Sequence, residues 1–302
     1  MLSVVVAARA GKDSTLQCMQ SILFSFQSFP DTLEYILIDD YSDPVHEIQP
    51  VFQGFRDSVQ SPVKVFRARR HRHYTAGLGF ALSQACGDAV LFLSNDMMVT
   101  PDYVTTLLKV AAKDPSLGIT RGMAQYVDSH PEHQLCSPLP LRNYRDICGF
   151  SRFLAQYFED YHVEDRLLCG DAMLIRRAVI QRIGVTDPRY FGYFGDIDYG
   201  LRAQRAGFRL VCAKGAWLHH TGALSLRWET DRPASQGDQA FGDRMGIVQA
   251  AYDQFRRKWD PSLPERYTRV ADIDFERLRQ IAIGFDLYQA PDPSWSADYE
   301  AL

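Results

Sequence analysis

Five acidic side chains of this sequence stand where predicted strands end or where a predicted helix begins: Asp39, Asp40, Asp96, Asp196 and Asp198. A carboxylate in such a place can accept hydrogen bonds from a nucleoside, bind a divalent cation, or take a proton from a hydroxyl group. The alternative for each acid is structural, because acids also cap helices and shape turns. Acids at the ends of two separate strands favour a ligand site over turn formation.

The elements that must position these acids alternate regularly in the first half of the chain. The apolar runs are continuous, which is typical of a parallel sheet with helices on both faces. In such sheets ligands bind outside the carboxyl ends of the strands. Strands are predicted at residues 2–8, 33–38, 62–66, 89–93 and 117–123, and helices at 75–86, from Pro101 to about 113, and from a cap at Asp13 or Ser14.

The second half of the chain is less regular. Residues 124–168 show no clear period and contain three prolines, which predicts an extended loop with a short helix near 150–158. Long loops of this kind often form lids or binding walls. Beyond the loop, the pattern predicts strands at 172–175 and 208–212, helices at 177–183, from Asp196 to 206, at 237–259 and near 275–283, and an irregular end.

Composition narrows the classes of function. The 302 residues are 46% hydrophobic and 23% charged with a net charge of -4, which excludes general disorder and offers no basic field for nucleic acid. Six scattered cysteines without a CxxC pair predict neither a disulfide framework nor a zinc site, and indicate a cytoplasmic protein with reduced thiols. No signal peptide or membrane-spanning run is predicted. Peripheral contact with a membrane and assembly into a homo-oligomer stay open.

A resemblance emerges from six segments in order: LSVVVAA, ILIDDYSD, GDAVLFLSND, CGDAMLIRR, FGDIDYGLRAQRAG and LHHTGALS. They resemble the family 2 glycosyltransferases of GT-A fold, in particular bacterial rhamnosyltransferase-like enzymes, from about residue 2 to 226. The resemblance implies an α/β GT-A domain at 1–226, with a nucleotide-binding half at 1–123 and an acceptor and catalytic half at 124–226. A helical C-terminal extension would follow at 227–302.

The activity implied by the resemblance is that of an inverting hexosyltransferase. A nucleoside-diphosphate sugar, linked to uridine or deoxythymidine, would donate its sugar to a hydroxyl of a glycan, polysaccharide or glycoconjugate. One of Asp39 and Asp40 would contact the nucleobase or ribose. The other donor-binding residues would be Ala7, Ala8, Arg9, Gly77 and Asn95.

The basic run at residues 67–73 is the densest in the chain. A solvated face is its ordinary reading. Attraction of the donor diphosphate, or of a phosphate-bearing acceptor, is the functional reading.

A divalent metal, Mn²⁺ or Mg²⁺, is part of what the resemblance implies. The triplet from Ser94 to Asp96 occupies the place of an acidic D-x-D motif, with Ser94 replacing the first acid. Asp96 would bind the metal together with His219 or His220. Adjacent residues on a strand point to opposite faces, so one of the two histidines reaches a given metal. We favour His219, from its distance to Gly222 and Ser225; an ordinary packed histidine is the alternative.

Asp196 matches the catalytic aspartate of the resemblance and would take the proton of the acceptor hydroxyl. Gly195 stands where the family carries Glu. The donor sugar and acceptor would lie beside Gly170, Asp171, Asp198 and Trp217, although Asp198 also suits the first turn of a helix and Asp171 suits a cap. Core packing is the alternative for Trp217 and for the aromatic residues at 190–194.

Two other functions stay open. A sugar nucleotidyltransferase would need a Gly-rich loop with a basic residue after the first strand, and residues 7–12 approximate one poorly. A degenerate transferase would bind a sugar nucleotide or glycan without turnover. Ser94 and Gly195 favour that second alternative, whereas Asp96, Asp196 and His219 speak against it.

Overall fold

A central mixed β-sheet organises the protein. The computed structural model describes residues 1–127, 131–168, 170, 172–220 and 234–302, the last segment as backbone alone up to residue 243. The strands are β1 Leu2–Ala8, β2 Leu33–Asp39, β3 Val63–Ala68, β4 Ala89–Ser94, β5 Met97–Met98, β6 Leu117–Ala124, β7 His162–Glu164, β8 Ala172–Arg176, β9 Arg209–His220 and β10 Tyr299–Ala301.

The strand order is β10-β3-β2-β1-β4-β8-β6-β9-β5, with β7 paired to β9. Strands β3, β2, β1 and β4 run parallel, as do β6 and β9. Strand β8 enters antiparallel between β4 and β6. The predicted α/β architecture with a mostly parallel sheet is confirmed, and the carboxyl ends of β1, β2 and β4 lie at one edge.

The helices cover both faces of this sheet. They are α1 Lys12–Phe26, α2 Ile48–Ser58, α3 His73–Gln84, α4 Pro101–Ala111, α5 Tyr144–Phe158, α6 Arg177–Ile183, α7 Gly195–Arg205, α8 Ala234–Trp259, α9 Phe275–Gln280 and α10 Trp295–Asp298. No helix in the described part of the chain is both long enough and apolar enough to cross a membrane.

The continuous apolar run of β1 is explained by its two buried faces. Val4 and Val6 point into a core with α1, α2 and α4, whereas Val5 points into a second core with α3, α6 and α7. All three side chains are fully buried. Successive side chains of a strand alternate between its faces, so a strand covered on both sides needs apolar residues at every position.

Several elements differ from the sequence prediction: β9 extends to His220 instead of ending at residue 212, and α2 was not predicted. Two further differences concern the starts of helices. Helix α1 begins at Lys12 after a left-handed Gly11, and neither Asp13 nor Ser14 caps it. The Ser14 hydroxyl instead donates to the Gly11 carbonyl. Helix α5 begins six residues earlier than the predicted short helix, because the Asn143 side chain accepts the backbone N–H of Asp146 and so caps it.

The end of the chain is more ordered than predicted. Strand β10 adds to the free edge of β3 in antiparallel register. The ring of Tyr299 stacks on Phe80 at 3.9 Å between centroids, and Trp295 contacts the same ring edge-on. The tail therefore closes one edge of the sheet. The predicted boundary at 226/227 falls outside the described residues.

Glu159, the residue that ends α5, adopts φ 50° and ψ -117°, a conformation that favours glycine. We expect Glu159→Gly to raise the free energy of unfolding by about 0.5–1 kcal/mol, because it relieves backbone strain. Chemical denaturation measures the change. Gln156→Gly, at an exposed position inside the same helix, is the matched control and should lower stability by about 1 kcal/mol. A loss of stability in both variants would contradict the assignment of strain to Glu159.

Candidate active site

The loop that follows β1 is held by Asn95. Its side-chain amide donates to the Ala10 carbonyl at 2.8 Å and to the Thr15 hydroxyl at 2.7 Å. Ala10 and Gly11 both have positive φ, so the loop makes a tight left-handed turn. The predicted contact between Asn95 and the donor nucleotide is not what this geometry favours, since both amide hydrogens serve the loop.

The other residues at the end of β1 differ in exposure. Ala8 is buried in the core and Ala7 is half-buried, whereas Arg9 is exposed. Gly77 of α3 is buried, and a Cβ atom added there would meet nothing within 4 Å. Open space beside Gly77 is consistent with a ligand that approaches the backbone closely.

Asp39 is fully buried and its carboxylate is occupied. It accepts the Ser42 backbone N–H at 2.8 Å and the Arg67 guanidinium at 2.5 Å. No surface of Asp39 is left for a nucleoside, which corrects the expectation for this residue. The sequence pattern could not distinguish the role of Asp39 from that of Asp40, because Arg67, the partner of Asp39, lies on a different strand.

Asp40 is 8% exposed and lies one residue further out. It accepts the backbone N–H groups of Arg72 at 2.7 Å and His73 at 2.9 Å, and its other contact is the His71 ring at 2.8 Å. Burial alone would raise the pKa of Asp40, but the hydrogen bond and charge of His71 hold it below its usual value. The end of the basic run, residues 71–73, is therefore folded around Asp40, whereas the side chains of Arg69 and Arg70 remain largely exposed.

His73 lies among aromatic rings in this cluster. Its ring is 5.2 Å from that of Phe191 and 5.5 Å from that of Tyr193 between centroids. Burial, with the charges of His71, Arg9 and Arg244, lowers the pKa of His73 to about 4. The residue has φ 63°, a left-handed conformation that asparagine also tolerates.

The shifted pKa of His73 predicts a pH dependence of stability. An unfolded histidine binds its proton near pH 6.5, so between pH 6.5 and about 4 the unfolded chain holds more protons. The contribution of His73 is complete above pH 6.5 and is lost as pH falls through about 4. We expect wild type to lose on the order of 2 kcal/mol more than His73→Asn across this window. Denaturant unfolding at several pH values measures this; parallel curves for the two proteins would contradict it.

Asp96 and His220 meet at the end of β4. Strand β5 follows Asp96 and pairs with the end of β9, so Met97 faces His220 and Met98 faces His219. This register places Nε2 of His220 at 3.3 Å from Oδ2 of Asp96. This geometry favours His220 over His219, the histidine preferred from the sequence, as the partner of Asp96. His219 lies beside Trp217, and burial lowers its pKa.

The hydrogen bonds of His220 fix its tautomer. Its Nδ1 lies 2.8 Å from the Tyr126 carbonyl, which can only accept, so Nδ1 carries the hydrogen. In a neutral ring, Nε2 then presents a lone pair toward the Asp96 carboxylate. Two acceptors in this position require a proton or a cation between them. A metal-binding histidine usually donates its other ring N–H to a carbonyl or carboxylate, as His220 does here.

The residues present therefore fit a divalent cation held by one oxygen and one nitrogen of the protein. Among the described residues no group of three or more His, Cys, Asp or Glu side chains could form a closed metal site. If Asp96 and His220 are its ligands from the described residues, a cation keeps coordination positions for phosphate oxygens, as in many nucleotide-dependent enzymes.

Asp196 stands at the start of α7, preceded by Phe194 in a left-handed conformation. One carboxylate oxygen accepts the Gly170 backbone N–H at 2.9 Å, and the other accepts the Ile197 N–H at 2.9 Å. The Gly170 carbonyl accepts a hydrogen bond from the hydroxyl of Tyr74, which lies in the first turn of α3. Asp196 stays partly exposed, so a hydroxyl group can approach it.

Gly195 has a steric reason to be glycine. A Cβ atom there would lie 2.2 Å from Cγ2 and 2.4 Å from the hydroxyl of Thr75. The short Thr75 side chain of α3 thus occupies the space into which a side chain at position 195 would extend. The absence of the family's Glu is explained by this close approach of α3 and α7.

Asp198 and Trp217 are corrected as donor-sugar or acceptor residues. Asp198 is fully buried, with its carboxylate at 2.8 Å from Arg202 and 2.6 Å from Lys258. Trp217 is also fully buried, and its indole N–H donates to the Leu135 carbonyl at 2.8 Å. Gly170 lies beside Asp196 as described, while Asp171 is outside the described residues.

Of the aromatic residues before α7, Tyr190 and Phe194 are buried in the core, whereas Phe191 is exposed. The sequence reasoning missed Tyr74, Thr75 and Lys258. Tyr74 carried no motif, and Lys258 lies on α8, sixty residues after the carboxylate that it binds. Only the folded chain brings these groups together.

Comparison with known proteins supports this reading of the fold. The sequence model of Glycosyl transferase family 2 matches residues 3–184. The O-antigen biosynthesis protein RfbC of Myxococcus xanthus is 24% identical over 173 residues, covering 50% of this chain and 12% of that protein. The chain spans 27% or less of the length of the first curated relatives that it matches.

Two solved structures share the fold at low identity. A mannosyltransferase of Pyrobaculum calidifontis, in complex with GDP-Man and Mn²⁺, has a TM-score of 0.53 and 14% identity, covering 85% of this chain and 71% of that one. GalNAc-T7, with UDP, GalNAc and Mn²⁺, has a TM-score of 0.55 and 17% identity, covering 73% and 43%. The chain therefore belongs to glycosyl transferase family 2 and has the GT-A fold, as its sequence motifs implied.

Proposed function

We propose that this glycosyltransferase moves a sugar from a nucleoside-diphosphate donor to a hydroxyl group of a glycan or glycoconjugate, with inversion at the anomeric carbon. The observation that carries the proposal is the pair formed by Asp96 and His220 at the end of β4. This pair supports a cation site beside the loop where the nucleotide is expected. The mannosyltransferase and GalNAc-T7 structures, both of which contain Mn²⁺, support the same assignment.

In the proposed complex the nucleoside lies at the ends of β1 and β2, near Gly77 and Asp40. The diphosphate faces Asp96 and His220. A divalent cation bound there would supply Lewis-acid stabilisation of the charge that develops on the leaving diphosphate. The sequence resemblance suggests a donor linked to uridine or deoxythymidine. Guanosine is a third candidate, because the structurally similar mannosyltransferase was solved with GDP-Man.

Asp196 acts as the general base in this proposal. The acceptor oxygen attacks the anomeric carbon while the bond from that carbon to the diphosphate oxygen breaks. The proton of the acceptor hydroxyl passes to the Asp196 carboxylate. Because Gly170 and Ile197 hold both carboxylate oxygens by their N–H groups, the base is already oriented before the acceptor arrives.

The alternatives are weaker in this geometry. A nucleotidyltransferase would use the basic residue after β1, but Lys12 forms an ion pair with Glu47 at 2.5 Å. A degenerate transferase was favoured by Gly195, and the contact with Thr75 now accounts for that residue sterically. We also propose a cytoplasmic location. It is supported by the free thiols at positions 18, 86, 136, 148 and 212.

The test is the release of nucleoside diphosphate from a panel of UDP-, dTDP- and GDP-sugars in the presence of Mn²⁺. We expect release from one nucleoside class, stimulated by an oligosaccharide acceptor, and a product of inverted anomeric configuration by NMR. Binding of a donor without any turnover across the panel and a broad set of acceptors would support the degenerate transferase instead.

A further inference from the structure

The C-terminal half of α5 and the turn that follows it present three exposed aromatic rings. Phe153 is 57% exposed, Tyr157 70% and Tyr161 57%. We call these three residues the aromatic platform. Large aromatic side chains exposed together are costly for a monomer and mark surfaces that bind a partner or a ligand.

The rings of the aromatic platform belong to two stacked pairs, of which Phe158 completes the second. Phe153 and Tyr157 stack with centroids 6.0 Å apart and an interplanar angle of 23°. Tyr161 stacks in the same manner on the half-buried Phe158, at 6.5 Å and 20°. The two pairs meet where the rings of Tyr157 and Phe158 lie at 87° to each other, so they present ring faces in two directions. The C–H face of a pyranose ring can pack on an exposed aromatic face of this kind.

A shallow cavity of about 460 Å³ lies against the platform. Tyr157, Phe158 and Tyr161 form its aromatic side, and Lys113, Asp160 and His162 are among its polar groups. The volume lies within the range of small-ligand pockets, and polar groups around an apolar floor are the usual composition of such sites. Hydroxyl groups of a sugar could bond to this polar border while its ring packs on the floor.

The charges around the platform are balanced. Asp160 forms an ion pair with Lys113 at 2.8 Å and lies 3.8 Å from Lys109. Arg152 faces Asp102 at 3.5 Å. A surface without a net basic field has little attraction for anionic lipid or nucleic acid. The ligand that best matches this surface is neutral and rich in hydroxyl groups.

From this combination we infer that the aromatic platform is a second carbohydrate-binding site, which holds a neutral oligosaccharide away from the transfer site. Helix α5 connects the two regions. Its first residue, Tyr144, donates to the carbonyl of Val99, three residues after Asp96. The platform lies at the other end of this fifteen-residue helix, about 20 Å away. Such a site would hold a part of the acceptor glycan that is distant from the reacting hydroxyl. This role in transfer rests on the proposed function, whereas the binding of carbohydrate to the platform does not.

The experiment is binding of the full chain to an array of neutral oligosaccharides, comprising glucans, mannans, galactans and N-acetylhexosamine oligomers, followed by calorimetry on the bound ligand. We expect the double variant Tyr157→Ala and Tyr161→Ala to weaken binding about tenfold or more, because two stacking rings are lost. Tyr288→Ala removes a ring that is 49% exposed elsewhere and is the matched control. Asp196→Asn should bind the array as wild type does.

Three results would overturn the inference. They are no binding to any oligosaccharide, binding that the double variant leaves unchanged, and platform-dependent binding to phosphatidylglycerol vesicles without binding to oligosaccharides. Unchanged unfolding of the double variant confirms that its fold is intact, as expected for exposed residues. Array binding without sugar transfer would leave this inference standing while the proposed function fails, so the two are separable.

Discussion

Asp196→Asn is expected to lower the rate of sugar transfer by about 10²–10⁴-fold, the usual contribution of a general base. The amide oxygen of asparagine can still accept the Gly170 N–H, but the Ile197 N–H then loses its acceptor, so unfolding of the variant is measured beside its activity. What is lost is the capacity to take the acceptor's proton. Initial rates of nucleoside diphosphate release, with donor binding measured in parallel, test this expectation.

Asp102→Asn is the matched control for Asp196→Asn, because Asp102 also stands in the first turn of a helix. Its rate should stay close to wild type. Donor affinity should be nearly unchanged in both variants, since the proposed role of Asp196 concerns the acceptor. Full turnover in Asp196→Asn would remove Asp196 from the role of base.

Lys258→Met is expected to lower the free energy of unfolding by about 3–5 kcal/mol, the range for breaking a buried ion pair. Lys258 is nearly buried and lies 2.9 Å from Asp187 and 2.6 Å from Asp198. Burial alone would raise the pKa of Asp187, but Arg189 and Lys258 hold it well below its usual value. Loss of Lys258 leaves both buried carboxylates with less compensation.

The matched control for Lys258→Met is Arg257→Met, an exposed neighbour on the same helix that should change stability little. Adding Asp187→Asn to Lys258→Met should recover part of the lost stability, because one uncompensated carboxylate is removed. Denaturant unfolding of wild type, Lys258→Met, Asp187→Asn and the double variant measures the coupling. Equal stability of Lys258→Met and wild type would show that this network does not hold α8 against α7.

The strands of the sheet were predicted well because the apolar pattern of a strand can be recognised within a few consecutive residues. The run of Leu2–Ala8 is apolar at every position, and the structure shows why: both faces of β1 are buried. The order of strand-end acids likewise predicted which edge of the sheet carries the candidate site. Helix starts were predicted less well, since Gly11 begins α1 through its left-handed backbone and not through a side chain.

The roles of individual site residues depended on contacts between distant segments. His219 and His220 differ only by which face of β9 they occupy, and the pairing of β9 with β5 decides that. Asp198 looked like Asp196 in sequence, yet its partners Arg202 and Lys258 make it part of a buried ion-pair network. Asp39 is taken by Arg67 in the same way. Pattern alone contains none of these pairings.

The most direct test of the central claim is the thermal stability of the protein with UDP, dTDP and GDP, each with and without Mn²⁺. One nucleotide should raise the melting temperature, and more so with Mn²⁺, because a ligand at a hundred times its Kd adds about 2.7 kcal/mol of stability. Asp96→Asn and His220→Asn should abolish the Mn²⁺ increment, whereas Asp57→Asn, an acid on the outer surface of α2, should keep it. A nucleotide shift that is the same with and without Mn²⁺, or a Mn²⁺ increment that survives both site variants, would contradict the assignment of Asp96 and His220.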